Sequence, residues 1–227
     1  MEEYEEKIKK EKKKQGILIF ILILEIIGIM GILIWSYDRM NQPVAVDKPI
    51  IYLYPTEETN VEVKVGKPES LSHTYPKYED SWKVQAKPNG DLVDLKTGRN
   101  LYALYWEGKN EIEPNMKEGF IVKGEDTIKF LEEKLEILGL NEREAEEFIV
   151  YWLPKLESNK YNYIRFQSME EINSSMPLEI TPAPDTIIRV LMEFKGLEEP
   201  IDVQEQKLKS PIREGFVVVE WGGTEIK

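Results

Sequence analysis

The 227-residue chain carries 42 acidic against 30 basic side chains, a formal net charge of −12 that leaves no excess of cations to displace counterions from phosphates, so nucleic acid is not an expected partner. It contains no cysteine and one histidine, which together exclude disulfides, thiol nucleophiles, thiolate-bound zinc and multi-histidine metal sites. The length suffices for one or two compact domains, and no motif calls for a cofactor or a resident metal.

Residues 1–15 hold six lysines (Lys7, Lys9, Lys10, Lys12, Lys13, Lys14) and five glutamates, and Ile17 to Trp35 then form a run of 19 residues with a single charge, Glu25. As a helix this run is about 28 Å long, close to the ~30 Å hydrocarbon core of a bilayer. A transmembrane helix over 17–37 is the expectation, with the lipid bilayer as its partner. A cleaved signal peptide fits less well, because the run is too long and "WSYDRM" offers no small-residue cleavage site. The lysines precede the helix and the following residues are poor in cations, so the positive-inside rule puts residues 1–16 in the cytoplasm and the rest of the chain outside it. Trp35 and Tyr37 suit an interfacial aromatic belt. Glu25 falls near mid-membrane, and Gly28 and Gly31 lighten one side of the helix. Those three mark either a helix–helix contact or a protonated glutamate tolerated in a very apolar segment.

Residues 38–47 read as a short tether, since Pro43 and Pro49 oppose further helix. "KPIIYLYP" from Lys48 to Pro55 places Ile50, Tyr52 and Tyr54 on one side of a strand and Ile51 and Leu53 on the other. A strand apolar on both faces belongs inside a sheet, and Pro49 and Pro55 are expected to mark its ends. Strand patterns continue at "TNVEVKV", "SWKVQA", "DLVDL" between two turns, "LYALYWEG" and "GFIVKG". Two helices follow. Ile128, Leu131, Leu135 and Leu138 recur at helical spacing before Gly139, and Asn141 is placed to cap "EREAEEFIVYWL", which Pro154 should end. Strands resume at "YNYIRFQS", "PLEITP", "TIIRVLMEFKG" and "GFVVVEWGG". The expected fold is α+β: a single N-terminal transmembrane helix, then one β-rich, sandwich-like extracytoplasmic domain over 48–227 with the helix pair packed on it.

"KPIIYLYP", "NGDLVDLKTGRNLYALYWEG", "EEFIVYWLPKLESNKYNYIRF" and the closing "GFVVVEWGG" resemble a bacterial family of membrane-anchored or secreted proteins that begin with the same kind of signature. The resemblance covers nearly all of residues 48–226. The family carries no assigned reaction, so it implies domain extent and a place in the cell envelope, and it transfers no functional residue.

Glu107 in "YWEG" and Glu220 in "VEWGG" are the natural candidates for a catalytic pair, since two carboxylates flanking a sugar bond are what glycoside hydrolysis uses. Plain strand alternation produces the same Trp–Glu adjacency with no site attached. Asp80 is a third carboxylate candidate. His73, with Ser70 and Ser72 close by, is the only imidazole, and no Gly-x-Ser-x-Gly elbow accompanies it. Trp82, Tyr102 and Trp106, with Tyr75, Tyr78 and Tyr105, crowd one β region and are candidates to stack on a ligand, burial in the core being the competing reading. The acidic stretches "EGKNEIEPN" and "EEINSS" lack EF-hand spacing, and Asn173 opens an Asn-Ser-Ser sequon. Two functional classes follow. The preferred one is a membrane-anchored extracytoplasmic binding or structural module meeting an envelope polymer or partner protein; the alternative is a tethered hydrolase of envelope glycans or peptides that works through the carboxylates.

Overall fold

The computed structural model describes residues 1–40, 44–110 and 116–226. The chain forms two compact units, 1–43 and 44–227. The first is one helix, α1 (Glu2–Met40), in which Lys14–Ser36 is long and apolar enough to cross a membrane. Glu25, Gly28 and Gly31 are exposed on it, and neither glycine has another group within 4 Å of where a Cβ would stand.

The second unit is α+β, with two sheets. The larger has eight strands in the order β12-β8-β9-β11-β13-β1-β7-β3, with β1 Val44–Tyr54, β3 Leu71–Tyr75, β7 Leu104–Asn110 and β8 Glu118–Lys123, then β9 Tyr161–Phe166, β11 Thr186–Leu197, β12 Gln204–Glu205 and β13 Val217–Glu225. The smaller has five, in the order β10-β2-β4-β5-β6, formed by β2 Thr59–Val65, β4 Trp82–Ala86, β5 Leu92–Asp94, β6 Asn100–Leu101 and β10 Leu178–Thr181. Among the described residues three α-helices complete the unit: α2 Thr127–Ile137, α3 Glu142–Leu156 and α4 Met169–Ser175.

The large sheet is covered on both sides. Ile50 and Tyr52 of β1 share one apolar cluster with Leu131 and Leu135 of α2 and Phe148 and Trp152 of α3. Ile51 and Leu53 enter a second cluster with Val61, Val63 and Val65 of β2 and with Trp82 and Val84 of β4. The layers are therefore helix pair, large sheet and small sheet, and "IIYLY" is apolar on both faces because both of its faces are core.

Several boundaries differ from the sequence expectation, each for a local reason. β1 starts at Val44, inside the stretch read as tether, of which residues 41–43 lie outside the described ones. Pro49 is inside the strand rather than at its end. The register slips there against both neighbours, between Asp47 and Ile50 toward β13 and between Val46 and Ile50 toward β7, and Lys48 adopts φ 54°. A bulge is where a residue without an N–H can enter a central strand. Pro154 is likewise inside α3, which runs on to Leu156. "LYALYWEG" is broken at Tyr102 and Ala103 between β6 and β7. "LSHTY" is a strand, β3, and the acidic "EEINSS" forms most of α4, so it is not a metal-binding loop. Ile128 is exposed and Thr127 takes the buried place at the start of α2. Asn141 caps α3 as expected, its side chain accepting from the Glu144 N–H while the Glu144 carboxylate accepts from the Asn141 N–H.

Leu53 is 0% exposed and Tyr52 2%. Leu53→Ala is expected to destabilise the protein by about 2–5 kcal/mol, and Tyr52→Ala by about 3 kcal/mol or more. Denaturant melts measure both, and shifts below about 0.5 kcal/mol for the two variants would contradict the two-sided burial of β1.

Candidate functional site

The two leading carboxylates lie on opposite faces of the large sheet. Ile51 stands opposite Glu220 on β13 and opposite Leu104 on β7, and directly opposed residues share a face. Glu220 therefore projects toward the small sheet. Trp106, two residues beyond Leu104, projects the same way, and its indole N–H donates to Glu220 Oε1 at 2.9 Å. Glu107 is the next residue and points to the other side. Carboxylates on opposite faces of one sheet cannot flank a shared sugar ring, so Glu107 and Glu220 do not form the glycosidase pair.

Glu220 is instead a buried structural anion. Its Oε2 accepts from Arg189 Nε at 2.6 Å, the two side chains are 0% and 1% exposed, and they stand in register on β13 and β11. Arg189 Nη1 donates to Asn173 of α4 at 2.8 Å, so the sequon asparagine is already a hydrogen-bond acceptor. A second ion pair repeats the arrangement one strand over. Arg165 of β9 is in register with Glu193 of β11 at 3.0 Å, and Gln167 Nε2 donates to Glu193 Oε1 at 2.7 Å. Arg165 also binds Glu171 of α4. Burial pushes the Glu171 carboxyl up, but Arg165 and Ser168 outweigh it and hold the group below the usual carboxylate range. α4 is thus fastened over this face by Glu171 and Asn173 as well as by its apolar residues. Sequence reasoning missed this network; the signal for it was the spacing of Arg189 and Glu193 in an otherwise apolar strand.

Glu107 meets His73 across the β3–β7 pair, with Oε2 3.4 Å from Nδ1. Ser72 Oγ also lies at Nδ1, 3.2 Å away. A hydrolytic triad needs the serine on one ring nitrogen and the carboxylate on the other. Here both use the same nitrogen, and the histidine side chain is 72% exposed. Ser70 belongs to a short 3-10 turn before β3. Asp80 is exposed, and its backbone carbonyl accepts from Tyr78 Oη at 2.9 Å.

The tryptophans proposed to stack on a ligand are core residues. Trp82 is 3% exposed, donates to the Pro76 carbonyl at 2.8 Å and meets Tyr78 edge to face, while Trp106 is 1% exposed. Neither offers a face to a ligand. Tyr102 does, at 48% exposure. Its ring lies 5.4 Å from the Arg143 guanidinium and 6.4 Å from the Tyr52 ring. Behind it runs a polar seam between β1 and α3. Tyr52 Oη donates to Glu147 Oε2 at 2.6 Å and accepts from Trp221 Nε1 at 3.2 Å, and Arg143 Nε donates to Glu147 Oε1 at 3.2 Å. Further along, Lys48 Nζ and Lys155 Nζ lie 4.5 and 4.9 Å from the Tyr151 ring, and Lys155 pairs with Asp47 at 3.0 Å. Burial raises the phenol pKa of Tyr52, of Tyr54 and of Tyr105, and the carboxylates of Glu147, Glu144 and Glu107 respectively raise them further. The seam presents aromatic and charged groups for contact, and the phenol that Glu147 holds there, Tyr52, is 2% exposed.

Among the described residues no three acidic or histidine side chains gather where a metal ion could be held. The acidic stretch "EGKNEIEPN" lies partly outside them, at residues 111–115. No protein-family model, curated protein or solved structure matches the chain.

Removing the carboxylate charge of Glu220 strands a buried guanidinium, whereas Glu107 faces a mostly exposed imidazole. Glu220→Gln should therefore cost about 3–5 kcal/mol of stability and Glu107→Gln less than about 1 kcal/mol, read from urea melts. Equal losses would contradict the assignment of Glu220 as the buried partner. The raised phenols make a second, alkaline test. Their folded-state pKa lies above the unfolded value of about 10, so the folded state binds more protons there, and stability falls as pH rises past about 10. Tyr52→Phe should make that fall shallower, measured as the pH dependence of the melting temperature.

Proposed function

We propose that this protein is a membrane-anchored binding or structural module of the bacterial cell envelope, with residues 1–16 cytoplasmic, 17–37 across the bilayer and the β-rich domain outside. The apolar stretch Lys14–Ser36, preceded by the lysine cluster, supports the anchor and its orientation. The observation that carries the choice of a binding over a catalytic role is the fate of the carboxylates. Glu220 is held by Arg189 and Trp106, and Glu107 shares a single histidine nitrogen with Ser72. Of Trp82, Tyr102 and Trp106, Tyr102 alone is exposed, and with Arg143 behind it the ring offers a surface suited to contact with an envelope polymer or partner protein. The hydrolase alternative through Glu107, Glu220 or Asp80 loses the paired geometry on which it depended.

The absence of native cysteine makes topology directly measurable. Intact cells expressing Glu57→Cys should react with a membrane-impermeant maleimide, and cells expressing Glu3→Cys should react only after lysis. Labelling of Glu3→Cys alone in intact cells would reverse the proposed orientation.

A further inference from the structure

The edge of the large sheet at β8 is only half closed. β12 pairs with β8 in parallel at Glu118 and Gly119 alone, with Gln204 N–H donating to the Lys117 carbonyl and Gln206 N–H to the Gly119 carbonyl. Along a strand, the N–H and C=O of alternate residues point to alternate sides. Since Lys117 and Gly119 face β12, Ile121 and Lys123 face the same way, while Phe120 and Val122 face β9. Among the described residues, no strand pairs with that outward side beyond Gly119. In the space it faces lies a groove of about 770 Å³, bounded by β8 on one side and by Pro200, Ile201 and Val203 on the other. Its apolar wall comes from Phe120 and Phe130, which meet edge to face at 5.2 Å, with Lys134 Nζ 5.3 Å from the Phe120 ring.

We propose that this groove binds an extended peptide segment, which adds to β8 as a strand beyond the end of β12. The main-chain groups of Ile121 and the Lys123 N–H, for which the described residues supply no strand partner, define the occupant. They are spaced as a ladder, and an extended backbone is the ligand whose donors and acceptors repeat at that spacing. The occupant side chains that turn toward α2 meet Phe120 and Phe130, so the segment carries apolar residues at alternate positions. This goes beyond the binding-module reading and rests on it: the partner is a peptide, and the sheet edge is a contact surface separate from Tyr102.

Lys123 allows a clean test, because its φ of −67° and ψ of 146° are values that proline adopts. Lys123→Pro deletes one outward N–H and leaves the ladder to β9 in place, and Lys123→Gln controls for the lost charge. A displayed library of linear eight-residue peptides is panned on the purified full chain in detergent micelles, and the enriched peptides are resynthesised. The expected result is enrichment of peptides with alternating apolar positions that slow amide exchange at Ile121 and Lys123 at least tenfold. Their binding should weaken at least tenfold with Lys123→Pro, unlike Lys123→Gln, at an unchanged melting temperature. N-methylation of the peptide should abolish binding in one alternate register only. Failure to enrich any peptide overturns the proposal, and so does binding that leaves those amides unprotected or is indifferent to Lys123→Pro. Peptides that bind at another surface would keep the binding-module reading while removing the β8 groove from it.

Discussion

Arg189 and Glu220 stand side by side near the centre of the large sheet, both side chains buried. Taking each ion out of solvent costs several kcal/mol, and only close pairing with further hydrogen bonds offsets this. The rest of the domain is arranged around that condition. Trp106 reaches Glu220 from β7, Asn173 reaches Arg189 from α4, and the adjacent Arg165–Glu193 pair extends the same polar line toward β9. Four strands and a helix thus converge on charges that hydrophobic burial alone would expel. Replacing such a pair with apolar residues often costs nothing in stability, so its value here lies in register: only one alignment of β11 against both β13 and β9 pairs every charge.

That line of charge also explains why carboxylates beside tryptophans were misleading. In "YWEG" and "VEWGG" the Trp and Glu exchange roles. Trp106 is on the small-sheet face with Glu107 turned away from it, whereas Glu220 is on the small-sheet face and Trp221 packs with α3. The motif is alternation across a double-sided sheet, and the contact between the two copies is Trp106 to Glu220, not Glu to Glu.

The elements legible in the sequence were those whose apolar periodicity is decided by one or two faces. β1, β2 and β4 follow their alternation, and α2 and α3 follow their helical stripes and, for α3, its Asn141 cap. What stayed hidden depended on tertiary partners. β3 carries Ser72, His73 and Thr74, a polar pattern that pairs only because β7 offers an open edge. α4 is anchored by Ile172, by an ion pair to a strand 6 residues away in sequence and by a hydrogen bond to one 16 residues away. The bulge at Lys48 and Pro49 was written in the proline, but its position inside β1 required knowing that Val44 to Val46 still pair with β7. For the candidate site, Glu107 and Tyr102 proved accessible and Trp82 and Trp106 did not, a distinction of burial that residue type alone does not carry.

The pairing of β1 with β13 links residues far apart in the chain, Tyr52 to Trp221 being separated by 169 positions. β1 lies between β7 and β13, so one of its edges finds a partner within some sixty residues, while the other must wait until Val217–Glu225 has left the ribosome. Until then β11 also lacks its parallel neighbour, Arg189 lacks Glu220, and an apolar strand keeps an open ladder. A chain built in this order passes through synthesis with its most aggregation-prone edge unprotected. Val217–Glu225 is the closing piece, and a nascent chain that stops before it leaves β11 and β1 without the strand that joins them.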